Sequence, residues 1–133
     1  PRRARSAANQ RLSHAATRSS VQTPRHALGF TAAPYTALVA LTGWSLDRTA
    51  TFPKSHRFTF AQRIDNFCLD AVLLATRARF AEKNRQAEPL RELNLRLEQL
   101  RVLWRLAHER GWLSRQQLLF VTEKLDEAGR MTG

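Results

Sequence analysis

The amino-acid sequence predicts an all-α fold: an antiparallel four-helix bundle over residues 34–133, preceded by a disordered Arg- and Ser-rich arm at residues 1–33. Three observations carry the expectation. Apolar residues recur at three- and four-residue steps in four successive runs, proline, glycine and Ser-x-x-Gln signals fall between the runs, and the links are short. At 133 residues the chain has room for one domain with a real core and too little for two.

Pro1 to Ala33 lacks hydrophobic periodicity and contains Pro24 and Gly29, so it buries too little surface to offset its ordering entropy. Its acid-free, Arg-rich and Ser-rich character also resembles an organellar transit peptide, while the lack of an apolar central segment argues against a secretory signal. Three readings compete: a basic nucleic-acid-binding arm, a transit segment, and upstream sequence with no role. The last is preferred, because the helical domain that follows is complete without the arm.

Pro34 suits the first turn of the first helix, whose apolar positions include Tyr35, Leu38, Leu41 and Leu46, and Pro53 ends it. The second helix runs from about Ser55 or Thr59 to Glu82, the later start being suggested by Thr59-x-x-Gln62, which matches a capping box. One face reads Phe60, Ile64, Phe67, Cys68, Ala71, Leu74, Ala75 and Ala78. Phe58, Ala61, Leu69, Val72, Leu73 and Phe80 widen it well past the usual stripe, leaving Thr59, Gln62, Arg63, Asn66, Asp70 and Arg77 as a narrow polar strip. A helix so apolar must be covered on more than one side, either within the bundle or by another subunit.

Asn84 to Pro89 makes the next connection. The third helix then places Leu90, Leu93, Leu97, Leu100, Trp104 and Ala107 at alternating steps of three and four, a seam that belongs in a bundle core. Glu92 with Arg96 and Glu98 with Arg101 read as surface pairs worth about 0.2–0.5 kcal/mol each. Gly111 fits the helix stop and Trp112 and Leu113 pack the corner. Ser114-x-x-Gln117 caps a fourth helix whose Leu118, Val121, Leu125 and Ala128 face inward.

Lys and Arg number 22 against 11 acidic residues, and the net charge of +11 favours a polyanionic partner such as nucleic acid over an acidic small molecule. The arm holds no acid, so residues 34–133 carry 16 basic against 11 acidic groups, or +5. Phe52 to Ile64 is the most telling stretch, because it crowds Lys54, His56 and Arg57 onto the start of a long apolar helix. The dipole there favours acids by a few tenths to about 1 kcal/mol each. A phosphate backbone would supply the missing anion, held by those side chains and by free N–H groups of the first turn. The plain alternative is a solvated charge cluster after a turn.

Arg63 and Arg77 share the polar strip two heptads apart, Arg79, Lys83 and Arg85 follow, and Arg91, Arg96, Arg101, Arg105 and Arg110 stud the third helix. Such a surface suits phosphates, the alternative being charge kept for solubility. No motif for reading base sequence is recognisable.

Catalysis finds little support. His14, His26, His56 and His108 are scattered without helical ligand spacing, Cys68 has no partner for a disulfide, and neither a nucleophile elbow nor a glycine-rich phosphate loop occurs. No metal, cofactor or enzymatic activity is expected. Glu123, Asp126 and Glu127 lie near Lys124 and Arg130 and read as an ordinary wet face. Trp44, Trp104 and Trp112 fall at or near apolar positions and read as core rather than base-stacking platforms. The single Cys fits a reducing compartment, and no stretch reaches the roughly 20 apolar residues of a membrane span, so a soluble protein is expected.

With these residues in view, the chain resembles the accessory variability proteins, Avd, of diversity-generating retroelements. The resemblance rests on Phe52-Pro53-Lys54 through Arg63-Ile64, on the Leu-rich third helix ending Leu106-Ala107-x-x-x-Gly111-Trp112-Leu113-Ser114, and on Glu123-Lys124-Leu125-Asp126-Glu127-Ala128-Gly129-Arg130-Met131. It covers about Tyr35 to Gly133. It implies a four-helix bundle assembled as a basic, ring-shaped homo-pentamer in a bacterial or archaeal cytoplasm. It further implies association with the retroelement's reverse transcriptase and with template RNA or its cDNA hybrid, without catalysis of its own. Such a protein supports the adenine-directed, error-prone cDNA synthesis of mutagenic retrohoming.

Carried onto this chain, the matching motif nominates Lys54, His56, Arg57 and Arg63, with Arg77 and Arg79 next, for contact with nucleic acid or a partner. Two departures stand out: the arm before Pro34 has no recognised counterpart, and relatives commonly run on past the position of Gly133 through another apolar segment. The main rival is a related four-helix-bundle family encoded within intervening sequences of bacterial large-subunit ribosomal RNA genes. A protein-only oligomerisation module built on the broad second helix is a third reading.

Overall fold

The computed structural model describes residues 32–132; the arm expected before Pro34 lies outside them, apart from Ala32 and Ala33, which open the first helix. Four helices form the body: α1 (Ala32–Thr49), α2 (Gln62–Phe80), α3 (Ala87–Glu109) and α4 (Arg115–Thr132). Each packs on its chain neighbours and α4 closes back on α1, so the chain runs up, down, up and down around one core. The short links leave no other arrangement of consecutive helices. Among the described residues there is no strand, and no helix is long and apolar enough to cross a membrane.

The core is built by fitting large side chains against small ones. α2 contributes Ile64, Cys68, Ala71, Ala75 and Ala78, and its small residues let α3 bring in Leu93, Leu97, Leu100, Trp104 and Ala107, all buried. That is the seam expected from the three-and-four spacing. Trp104 sits at its centre, with the Trp44 ring 5.5 Å away and the Phe52 ring edge-on at 6.0 Å. α4 adds Val121, Leu125 and Ala128, and α1 adds Leu38 and Leu41. Leu46, expected among the apolar positions of α1, is exposed instead, and Ser45 is buried. Positions 38, 41, 42, 45 and 49 share one helical face, and 46 falls beyond its edge.

Punctuation between α3 and α4 follows the expected chemistry. Gly111 adopts φ +81°, its N–H reaches the His108 carbonyl at 2.9 Å, and the Trp112 N–H reaches the Ala107 carbonyl at 3.0 Å, which together satisfy the last turn of α3. Ser114 Oγ then accepts the Gln117 N–H at 3.1 Å while Gln117 Oε1 accepts the Ser114 N–H at 2.9 Å, a complete capping box.

The entry to α2 departs from the capping-box reading at Thr59. After Pro53 the chain winds at once, first as a 3-10 turn (Lys54–His56), then as a wider π turn (Arg57–Ala61), and only then as α-helix. Thr59 makes no cap bond because it already lies inside a helical turn, and the Gln62 N–H reaches the carbonyls of Arg57 and Thr59. Winding therefore begins near the Ser55 alternative. At the other end, Ala81 turns to extended backbone, so α2 stops at Phe80 rather than Glu82.

The width of the α2 apolar face is resolved only in part within one subunit. Phe58 is 80 % exposed, Phe80 is 79 % exposed, and Leu69 and Leu73 lie between them on the outward side. α3 adds Leu95, Val102 and Leu106, also exposed. By helical spacing Phe58 of the π turn falls on one face with Leu69, Leu73 and Phe80 of α2, and Leu95, Val102 and Leu106 fall on one face of α3.

Candidate nucleic-acid interface

Lys54, His56 and Arg57 stand where α1 hands over to α2. Pro53, with φ −55°, starts the 3-10 turn, and the His56 N–H bonds the Pro53 carbonyl at 2.9 Å. Lys54 and Arg57 are exposed, and among the described residues neither takes part in an ion pair. His56 behaves differently: its ring stacks on Trp112 with centroids 4.7 Å apart, in a corner shared with Phe52 and Phe60. Arg110 lies over the same indole at 5.5 Å. Aromatic packing thus holds His56 and Arg110, while Lys54 and Arg57 extend outward.

Arg63 follows on the surface of α2, 5.9 Å from the centroid of the Phe67 ring, and Arg96 of α3 covers that ring at 5.0 Å. Arg96 also lies 3.4 Å from Asp70 of α2 and donates to Gln99 at 2.8 Å. Its carboxylate is therefore Asp70 across the helix boundary, not the expected Glu92 on its own helix. The second expected pair, Glu98 with Arg101, forms at 3.4 Å, and Arg101 also bonds Asp126 of α4.

Arg77 and Arg79 stand at the opposite end of α2. At 1.5 Å rise per residue they lie roughly 30 Å from the Lys54–Arg57 turn, so the six nominated residues form two groups rather than one patch. Arg63 and Arg77 connect the groups along one side of α2, about 20 Å apart. Arg79 is half-buried with its guanidinium 5.8 Å from the Phe80 ring centroid.

Arg77 shares a cleft of about 860 Å³ with Phe80, Asn84, Arg85 and Arg91, formed by the end of α2, the link and the first turns of α3. Gln86, buried in that link, donates from Nε2 to the Ala78 carbonyl at 3.0 Å and ties the connection to α2. Arg85 and Arg91 read in the sequence as members of a basic run. Their shared cleft with Arg77 follows from the antiparallel hairpin, whose two arms bring residues on either side of the link together.

Among the described residues, no three His, Cys, Asp or Glu side chains gather as a metal-ligating group. Burial pushes the Cys68 thiol up to about 11; the Ser45 hydroxyl opposes the rise and Asp65 adds to it, so at neutral pH the sulfur is a packed thiol rather than a nucleophile. Asp126 and Glu127 are occupied by Arg101 and Lys124. Arg96, Arg101 and Lys124 are the basic side chains with ion pairs among the described residues; the others leave their charge to the surface.

Residues 37–133 match the family model described as bAvd-like. No curated protein and no solved structure matches the chain. The matched span contains most of α1 and all that follows, including the basic turn at Lys54, the α3 seam and the capped α4. The chain belongs to the bAvd-like family, accessory variability proteins whose role in diversity-generating retroelements is of an accessory, non-catalytic kind.

Proposed function

We propose that this protein is the cytoplasmic accessory subunit of a diversity-generating retroelement, working as a ring-shaped homo-pentamer. It docks on the element's reverse transcriptase and holds template RNA, with its growing cDNA hybrid, on a basic surface during adenine-mutagenic synthesis. The family match over residues 37–133 carries this reading and favours it over the bundle encoded in ribosomal RNA genes.

Two features of the subunit support it. Exposed Phe58 of the π turn, Leu69 and Leu73 of α2 and Leu95, Val102 and Leu106 of α3 give a neighbouring copy or the polymerase something to bury, and the unpaired arginines give phosphates something to meet. If the +5 of residues 34–133 repeats five times, the assembly presents roughly +25 before any arm is counted, enough for strong attraction indifferent to base sequence. Lys54, Arg57 and Arg63 at one end and Arg77 and Arg79 at the other would engage separate parts of one strand. His56 would act by setting the Trp112 corner.

The subunit makes no bond and breaks none; its contribution is to concentrate and orient RNA beside the polymerase. The test is affinity for template RNA against salt, with particle mass measured in parallel by light scattering. A steep fall in log affinity with log salt, from a particle of five subunits, supports the proposal. A monomer with a flat salt dependence overturns it.

A further inference from the structure

We infer that the α2–α3 hairpin cleft is a single-strand site, in which an unstacked nucleobase lies on the Phe80 ring while neighbouring phosphates are held by Arg77, Arg85 and Arg91. The inference rests on the RNA-binding reading above and adds to it the place and the form of nucleic acid recognised.

Phe80 is the first observation. It is 79 % exposed at the terminus of α2, contributes nothing to the core, and lines a cleft of about 860 Å³. That volume lies within the roughly 300–1,000 Å³ of pockets that hold small organic groups. The Arg79 guanidinium occupies one side of the ring at 5.8 Å, so the second side is the one a base can take. An aromatic ring with a free face beside guanidiniums is the unit with which proteins grip single strands, because every base has a π-face.

Charge is the second. Arg77, Arg85 and Arg91 line the cleft with Asn84, against Glu82 and Glu88, and Arg79 and Lys83 lie next to it. Five cations face two carboxylates in this stretch, and among the described residues none of the five is ion-paired. A second copy presenting the same cleft would bring like charge to like charge, which disfavours self-association here. A phosphate strand removes that conflict, and its flexible backbone lets the base turn out onto Phe80.

Rigidity is the third. The buried Gln86 bond to the Ala78 carbonyl holds the link against α2, and the Arg85 N–H bond to the Glu82 carbonyl at 2.8 Å closes a turn within the link itself. Both walls of the cleft are therefore preset before RNA arrives. A duplex offers its bases already stacked on both faces, so it can meet the arginines but not the ring.

The experiment compares the full chain with Phe80→Ala and Phe80→Trp, using a labelled unstructured RNA of about a dozen nucleotides and the same RNA paired to its complement. The expected result is an affinity loss of about five- to tenfold for the single strand with Phe80→Ala. Duplex binding stays within about twofold, Phe80→Trp restores the single-strand affinity, and the particle mass is unchanged. Equal loss for both RNAs, a single-strand affinity within about twofold of the parent, a changed particle mass, or loss of polymerase binding alone would each overturn the assignment. Parent protein that binds RNA while Phe80→Ala has no effect removes only this cleft; parent protein that binds neither RNA removes the RNA-holding function as well.

Discussion

Reversing Arg63 and Arg77 to glutamate tests whether the side of α2 linking the two basic groups carries phosphates. Both side chains are exposed, and among the described residues neither is ion-paired, so the fold has little to lose. Arg63 gives up its position over Phe67, 5.9 Å from the ring centroid and worth about 0.5–1 kcal/mol at an exposed site; Arg77 has no such contact. A loss near 1 kcal/mol lowers Tm by about 4–8 °C in a domain of this size, leaving the double variant folded at 25 °C. Binding should respond far more. Each phosphate released from a single strand removes about 0.7 from the slope of log affinity against log salt, so two lost contacts lower its magnitude by about 1.4 in each subunit that engages RNA. Fluorescence anisotropy between 50 and 200 mM KCl reads the slope, and far-ultraviolet circular dichroism confirms helicity. An unchanged slope in a fully helical double variant would refute phosphate contact along this side of α2 and move it elsewhere on the bundle.

Other predictions concern what holds the scaffold. Ser114→Ala removes one half of the capping box and should cost about 1 kcal/mol in urea denaturation, whereas no change would mean that α4 does not depend on its cap. Gly111→Ala meets nothing within 4 Å but must adopt φ +81°, so it should cost about 1–2 kcal/mol by backbone strain alone, measured the same way. Trp104→Ala, at the buried centre of the α3 seam, should cost about 3–5 kcal/mol and bring thermal unfolding sharply down. Burial raises Cys68 to about 11 against an unfolded value near 8.5–9, so the folded state holds this proton more tightly. Its contribution is whole below about pH 8.5 and is lost as pH rises through about 11, up to about 2–3 kcal/mol; the stabilities of the parent and Cys68→Ala should converge over that window, and parallel curves would contradict the burial account.

Much of the fold was legible because local signals and packing agree. The α3 seam from Leu93 to Ala107 reads from spacing alone, since one helix face is covered along its whole length. Gly111 and Ser114 carry their meaning in residue type and offset, and both adopt the expected conformations. Thr59-x-x-Gln62 misleads because the capping motif cannot tell a helix start from a π turn already under way. Arg96 misleads for a different reason: Glu92 lies at the favourable spacing, but Asp70 of α2 is the acid it reaches, and i,i+4 reasoning sees only one helix. At the candidate site, the charge was legible and its grouping was not. Lys54 and Arg77 read as parts of one basic surface until the length of α2 separates them, and His56 reads as one more cation until Trp112 appears beneath it. Phe80 reads as surplus apolar width, and only the hairpin brings it beside Arg85 and Arg91.

The central claim is that this bundle serves a polymerase by holding its RNA. Co-expression of the full chain with a retroelement reverse transcriptase and its template RNA, followed by mass measurement of the purified particle, tests it most directly. A ribonucleoprotein containing five copies of this chain together with the polymerase and the RNA is the predicted result. A chain that elutes as a lone subunit, leaving polymerase and RNA in separate fractions, would contradict the account.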